Sequence, residues 1–322
     1  MTRSPLLDLP GAVEADGPDA GVAAHYGDPM IEQRRLEAGR AVVDLSHRGV
    51  VTVTGPDRLS WLHSLLSQHL SALVPGERTE ALLLDPHGRV EHHLRVVDDG
   101  TTTWASVEPG TAGALVAFLD SMRFMLRVEV ADVSADWACV WSPTEGEVLV
   151  PRARLLPYVQ ERGAAGVWAA EALRIAAHRP RLGLDTDDRT IPHEVGWIGS
   201  AVHLEKGCYR GQETVARVHT LGRPPRRLVL LHLDGSVDHL PAHGDPVEVA
   251  VEVAGDAAGR PAGKVVGTVG SAARHHELGP IGLAVIKRAT PVDARLLAGG
   301  VAAAQEVVVD PEIGLHVRPR LA

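Results

Sequence analysis

Apolar residues in this chain recur at helical spacing in some stretches and alternate in others, and the switches between the two periods mark out its elements. Residues 31–40 carry a helical pattern, and Val42 to Ser46 followed by Val50 to Thr54 alternate as strands do. Gly55-Pro56-Asp57 opens a further helix: Pro56 suits a first turn, Asp57 favours the positive end of the dipole, and Leu59, Leu62, Leu66, Leu70 and Leu73 follow at helical spacing. A hairpin is predicted next, Ala81 to Leu84 and Arg89 to Val97, around Asp85-Pro86-His87-Gly88, where Pro and Gly suit a tight reversal. Thr101 to Val107 adds a third strand.

Leu115, Phe118, Leu119 and Met122 form one helical stripe within residues 111–126, and Val128 to Val133 reads as a strand. Two further helices are predicted at about 151–162 and 168–178, the second stopping at Arg179-Pro180 because proline cannot continue it. These signals mix without a regular βαβ period, which predicts an α+β fold and not a doubly wound parallel sheet. From Arg226 onward the texture changes to short strands between Gly, Pro and Asp: Leu228 to Leu233, Val247 to Val253, Lys264 to Val269, Ile281 to Ile286 and Glu306 to Val309. That spacing predicts a small barrel or sandwich. The expected organisation is a flexible arm over 1–30, an α+β region over 31–222, and a C-terminal β-domain over 223–322, divided near Gly222-Arg223-Pro224-Pro225.

Composition narrows the function classes. A net charge of −9 gives no electrostatic footprint for broad nucleic-acid binding, leaving room only for a local basic patch, and no apolar run approaches the roughly 20 residues that span a bilayer, so neither partner is expected. Two cysteines, Cys139 and Cys208, exclude a disulfide scaffold and a one-chain four-cysteine cluster, and they point to a reducing, cytoplasmic setting. The first 30 residues lack the apolar core of a secretion signal and the acid-free character of a transit peptide. No Cys-x-x-Cys, His-Glu-x-x-His, Walker loop or Rossmann fingerprint is present, and His92-His93 and His275-His276 are adjacent pairs whose strand neighbours point to opposite faces, so no metal site is expected.

Chemistry concentrates in Lys206-Gly207-Cys208-Tyr209-Arg210-Gly211-Gln212-Glu213, which holds one of two cysteines and one of three tyrosines. Lys206 and Arg210 beside Cys208 favour the thiolate, while Gly207 and Gly211 allow close backbone approach to a ligand; the alternative is a small buried hydrophobe. Cys139, between Trp137 and Trp141 with no charged neighbour in sequence, reads as core. In Thr190-Ile191-Pro192-His193-Glu194-Val195-Gly196-Trp197, Glu194 is a carboxylate among apolar groups. Such a group can accept two bonds from an amidine-like edge of the kind a pterin presents, or it is simply a loop carboxylate.

Taken with Ala216-Arg217, the Lys206 to Glu213 segment resembles the signature of the YgfZ family of folate-binding proteins, relatives of the glycine-cleavage T-protein. The resemblance extends to Asp44-Leu45-Ser46-His47-Arg48-Gly49, to Val53-Thr54-Gly55-Pro56-Asp57, to the 81–97 hairpin, to Arg123-Phe124 through Ser134, and to the tail at 226–310. It implies two intertwined α+β parts around a folate cleft with a C-terminal β-barrel. It also implies bound tetrahydrofolate and a role in iron–sulfur cluster assembly or repair in client enzymes, including those that modify tRNA. By position, Cys208 is then the working thiol and Glu194 meets the pterin. Lys206, Tyr209, Gln212 and Arg227 are the further folate-binding candidates, and an arginine at 226 or 227 resembles one that precedes the barrel in the T-protein. Where aminomethyltransferases carry an acidic pair on the second hairpin strand, this chain has His92 and His93, which speaks against methylene transfer.

Overall fold

The computed structural model describes residues 3–250 and 263–316, so the expected strand at 247–253 lies partly outside the described residues. The chain divides into two compact units. The first comprises Met1–Pro86, Val90–Glu171 and Ile198–Gln212, and the second His87–Arg89, Ala172–Trp197 and Glu213–Ala322.

In the first unit, β1 (Val13–Glu14) and β2 (Ala23–His25) form a two-stranded ribbon ahead of α1 (Pro29–Glu37). Asp28 caps α1 by accepting from the amides of Met30 and Ile31, with Pro29 in the first turn. There follow β3 (Val42–Asp44), β4 (Gly49–Thr54), α2 (Arg58–Leu65), β5 (Arg78–Leu84), β6 (Val90–Asp98), β7 (Thr102–Val107), α3 (Ala112–Ser121), β8 (Glu129–Asp132), β9 (Trp137–Ser142), β10 (Gly146–Pro151), α4 (Arg152–Arg162) and β11 (Ala164–Ala165). Five of these strands make an antiparallel sheet in the order β5-β6-β7-β4-β8. Its inner face (Val51, Val53, Leu83, Leu94, Val96) packs on Trp61, Leu62 and Leu65 of α2 and Leu115 and Leu119 of α3. A second sheet runs β10-β9-β3-β11, with β11 parallel to β3.

Three expectations need correcting here. α2 ends at Leu65, eight residues before the leucine spacing does. Ser67 is drawn out of the helix, its hydroxyl accepting from Leu82 N and donating to Ala201 O, yet Leu66, Leu70 and Leu73 still enter the same core from a loop. The first 30 residues, expected as an arm, contribute Leu6 to a core with Val42, Ala138, Val150 and Leu155, and Ser4 donates to the buried Asp44 carboxylate. β10, absent from the sequence reading, pairs with the strand of Cys139.

α5 (Val167–Ala176) precedes the loop that holds Glu194, and α6 (Gln212–Leu221) follows the cysteine motif. In the second unit, β12 (Arg226–Leu233), β13 (Pro246–Val249), β14 (Lys264–His275), β15 (Gly279–Lys287), β16 (Leu296–Ala298) and β17 (Val301–Val307) close into a barrel in the order β12-β15-β14-β13-β16-β17. Alternate residues of β12 (Val229, Leu231, Leu233) fill it with Val247, Ile286 and Leu296. Closure leaves no strand edge to seek a partner. The fold is therefore α+β with a C-terminal barrel. Among the described residues no helix is long and apolar enough to cross a membrane.

Candidate functional site

The cysteine motif belongs to the first unit and is fastened to the end of α2. Gln68 Nε2 donates to Ser200 O at 2.8 Å, and His203 N donates to Ser67 O at 3.0 Å. Lys206 completes the attachment: its buried Nζ donates to the backbone oxygens of His63 and Leu66. Carbonyls at a helix C-terminus lack helical partners and sit at the negative end of the dipole, so an ammonium suits them. The same Nζ lies 4.8 Å from the Tyr209 ring centroid. Burial pushes the Lys206 ammonium down to about 8 and the Tyr209 hydroxyl up to about 12.

Between those two buried side chains, Cys208 is exposed. Among the described residues its sulfur has no hydrogen-bond or ion-pair partner. Cys139 is the opposite case, buried in β9 with its thiol raised well above the ordinary range by burial. Arg210 Nη1 donates to Glu91 Oε2 at 2.6 Å and its guanidinium lies 5.1 Å from the Phe118 ring centroid. Both cations that flank Cys208 in sequence are thus committed to groups other than the sulfur. Gln212 Nε2 donates to Lys206 O at 3.3 Å, so it braces the motif loop from within.

On β6, strand alternation places the two histidines as the pattern predicts. His92 sits buried on the side of Leu94 and Val96, with Nδ1 unpartnered among the described residues, and burial lowers its pKa. His93 faces the other way, with Nε2 3.2 Å from Glu80 Oε2.

In the second unit, Glu194 occupies a 3-10 turn, Pro192–Val195, closed by Gly196 at φ +79°. Its carboxylate is 1% exposed as a side chain and already engaged: Arg226 Nε donates to Oε1 at 2.8 Å, Arg226 Nη2 to Oε2 at 2.7 Å, and Ile191 N to Oε2 at 3.2 Å. Arg226 also clasps Asp187, Nη1 to Oδ2 at 2.6 Å, and holds that carboxyl well below the usual carboxylate range. A carboxylate has about four acceptor positions. Three are used, so Glu194 retains one, on Oε1, and the two-bond grip on a pterin edge expected from the sequence does not fit this arrangement.

Arg227 points the other way, into the barrel wall. It is wholly buried, and Nη2 donates to Thr290 O and Gln305 Oε1, while Nε and Nη1 have no partner among the described residues. Of the two arginines that the resemblance offers, the one that touches Glu194 is therefore Arg226 and not the candidate Arg227. Its position at the outward-facing start of β12, one residue out of phase with Val229 and Leu231, is the signal that separates the two. His193, next to Glu194, is also wholly buried, with no hydrogen-bond partner for either ring nitrogen among the described residues and its ring 6.2 Å from that of His219. Burial, with the nearby His219, pushes it down to about 4, so it is neutral at pH 7.

No family model matches the chain. It is 29% identical over 228 residues to a Mycosarcoma maydis protein named iron-sulfur cluster assembly factor IBA57 homolog, mitochondrial, a match covering 58% of this chain and 55% of that one. It is 24% identical over 249 residues to a putative chloroplastic transferase of Arabidopsis thaliana, covering 62% and 57%. These matches span little more than half of either relative. Against an aminomethyltransferase of Synechococcus sp. it is 28% identical over 310 residues, 77% of this chain and 85% of that one. The crystal structure of the glycine cleavage system aminomethyltransferase T from Bartonella henselae matches with a TM-score of 0.75 over 96% of both chains, at 17% identity, and so shares its fold.

This chain has the glycine-cleavage T-protein fold and is similar in sequence to aminomethyltransferases. It offers an exposed thiol on a loop pinned by Lys206 in its first unit, and a guanidinium-held carboxylate pair in its second. An exposed thiol can act as a soft metal ligand or as a nucleophile.

Proposed function

We propose that this T-protein relative is a folate-binding accessory protein supporting assembly or repair of iron–sulfur clusters in client enzymes, tRNA-modifying enzymes among them. Tetrahydrofolate and the Cys208 thiol are its working groups, and the cytoplasm is its setting. The observation that carries this reading is the contrast between its two thiols: Cys139 is sealed in a strand, and Cys208 stands exposed on a loop whose neighbours Lys206 and Tyr209 are buried to hold it. Similarity to a protein named as an iron–sulfur cluster assembly factor supports the cluster role, and the T-protein fold supports folate as the ligand. In that role Glu194 contributes a single acceptor, oriented by Arg226, and Tyr209 and Gln212 shape the motif loop instead of donating to the ligand.

Similarity to aminomethyltransferases favours a second reading, a folate-dependent methyl- or methylenetransferase. The hairpin weighs against it, since His92 and His93 are buried imidazoles at the positions where the resemblance leads one to expect acids.

The deciding experiment expresses Cys208→Ala in cells lacking their own copy. The activity of a [4Fe–4S] enzyme such as aconitase should fall to the level of the empty strain. Normal activity at normal protein level removes the thiol from the function. Tetrahydrofolate should raise the melting temperature by mass action, and no shift at millimolar ligand removes the folate.

A further inference from the structure

The connection between α3 and β8 shows the same two features twice over: apolar side chains at its tip, and anchors at its base. Phe124 is 91% exposed and Met125 88%, with Met122 and Leu126 each more than two-fifths exposed. The whole sequence contains two phenylalanines and four methionines, and this five-residue stretch uses one and two of them, of which Phe124 and Met125 bury almost nothing. Isolated surface leucines need no explanation, but a run of large apolar groups at one tip does.

The tip is also held in place. Met122 N and Leu126 N donate to Leu119 O and Arg123 O, and Trp61 Nε1 donates to Met122 O at 3.2 Å. At the far side Arg127 is clasped by Asp57, Nε to Oδ2 at 3.0 Å and Nη2 to Oδ1 at 2.7 Å, with its amide on the same carboxylate at 2.9 Å. Gly55, at φ +106°, lies so close that a Cβ there would stand 2.1 Å from Arg127 O. Phe124 itself has φ +48°, a left-handed conformation that disfavours a side chain with a Cβ. The backbone thus accepts strain and presents the ring outward, a combination that points to function.

We propose that residues 122–126 are a docking tip for a partner protein bearing a shallow apolar pocket rimmed by carbonyl or carboxylate oxygens. The proposal rests on the accessory-protein reading above, because that reading requires contact with clients. Phe124 and Met125 are the anchors, and Arg123 and Arg127 offer their remaining N–H groups to the rim; Phe, Met and Arg are the types enriched at such contacts. Four apolar side chains fall well short of the roughly 1,200 Å² of a lasting interface, so the contact is transient. A second copy of this chain fits poorly. Arg127 is paired with Asp57 and Arg123 lies 3.7 Å from Asp120, so two tips would meet with their charges already matched and little apolar area to share, and the other exposed large hydrophobics, such as Val13, Val74, Trp168 and Leu278, are scattered in sequence. An anionic membrane fits poorly too, given the net charge of −9.

The test pairs Phe124→Ser/Met125→Ser with Cys208→Ala in cells lacking their own copy, with aconitase activity read at matched protein level. The tip variant should lose at least fivefold in activity while the purified protein keeps its melting temperature and its tetrahydrofolate-induced shift, and Phe124→Leu should retain activity. A fully active tip variant overturns the docking proposal, whatever Cys208→Ala does. An inert Cys208→Ala beside a defective tip variant keeps the docking proposal and removes only the thiol. Two controls can also overturn it: co-pelleting with phosphatidylglycerol vesicles, or concentration-dependent self-association in sedimentation velocity, lost in the tip variant, reassigns the tip to a membrane or to a second copy.

Discussion

The Arg226 guanidinium meets the Glu194 carboxylate edge-on, Nε to Oε1 at 2.8 Å and Nη2 to Oε2 at 2.7 Å, and with Nη1 reaches Asp187 at 2.6 Å. One cation orders two carboxylates from the loop before the barrel. Glu194→Ala removes the buried partner and leaves Arg226 half-paired, which for such pairs costs about 3 kcal/mol or more. The urea midpoint should drop accordingly with an unchanged m-value. Arg226→Met should cost as much, and the double variant should cost much less than the sum of the two; additive losses would show the pair to be uncoupled.

Lys206 holds the cysteine motif by capping α2. Lys206→Met keeps the aliphatic stem and deletes both charge-assisted bonds to His63 O and Leu66 O, a loss of about 2–3 kcal/mol. Amide hydrogen exchange should quicken across residues 198–212 and stay unchanged in the barrel. Uniform quickening across both units would mean that Lys206 supports global stability only.

Exposure separates the thiols kinetically. A maleimide at neutral pH should label Cys208 within minutes and leave Cys139 unmodified until denaturant is added, with peptide mass spectrometry giving the site. Two labels on the native protein would contradict the burial of β9.

His193 makes stability fall with acid. Its folded pKa is about 4 against about 6.5 when exposed, so between those values the unfolded chain binds the extra proton and unfolding is favoured as pH drops. The full effect is about 3 kcal/mol, lost between pH 6.5 and 4. His193→Phe should flatten the acid limb of a plot of unfolding free energy against pH by that amount; an unchanged limb assigns acid sensitivity to the other buried histidines, His92 and His93, which burial shifts in the same direction.

Much of the fold was legible locally. The β5–β6 hairpin follows from Asp85-Pro86-His87-Gly88 between apolar runs, and the barrel from short strands parted by Gly and Pro. Cys139 was readable as core from its neighbours. Failures came where a distant group outbid a local preference. The leucine spacing after Asp57 continues to Leu73, but Ser67 bonds to Leu82 and Ala201 and the helix stops at Leu65. Leu6 has no periodic signal around it and finds its place only because Val42 and Ala138 leave room for it.

What the order of residues decided alone is the list of parts: an α+β chain, a closed β-domain, one thiol among charges and one among tryptophans. Which part does what was decided by folding, because charge is spent on whichever partner lies nearest in space. Lys206 and Arg210 stand beside Cys208 in sequence, yet three-dimensional packing gives them to α2 carbonyls and to Glu91. Arg226 and Arg227 are adjacent and chemically identical, and strand alternation sends one to Glu194 and the other into the barrel wall.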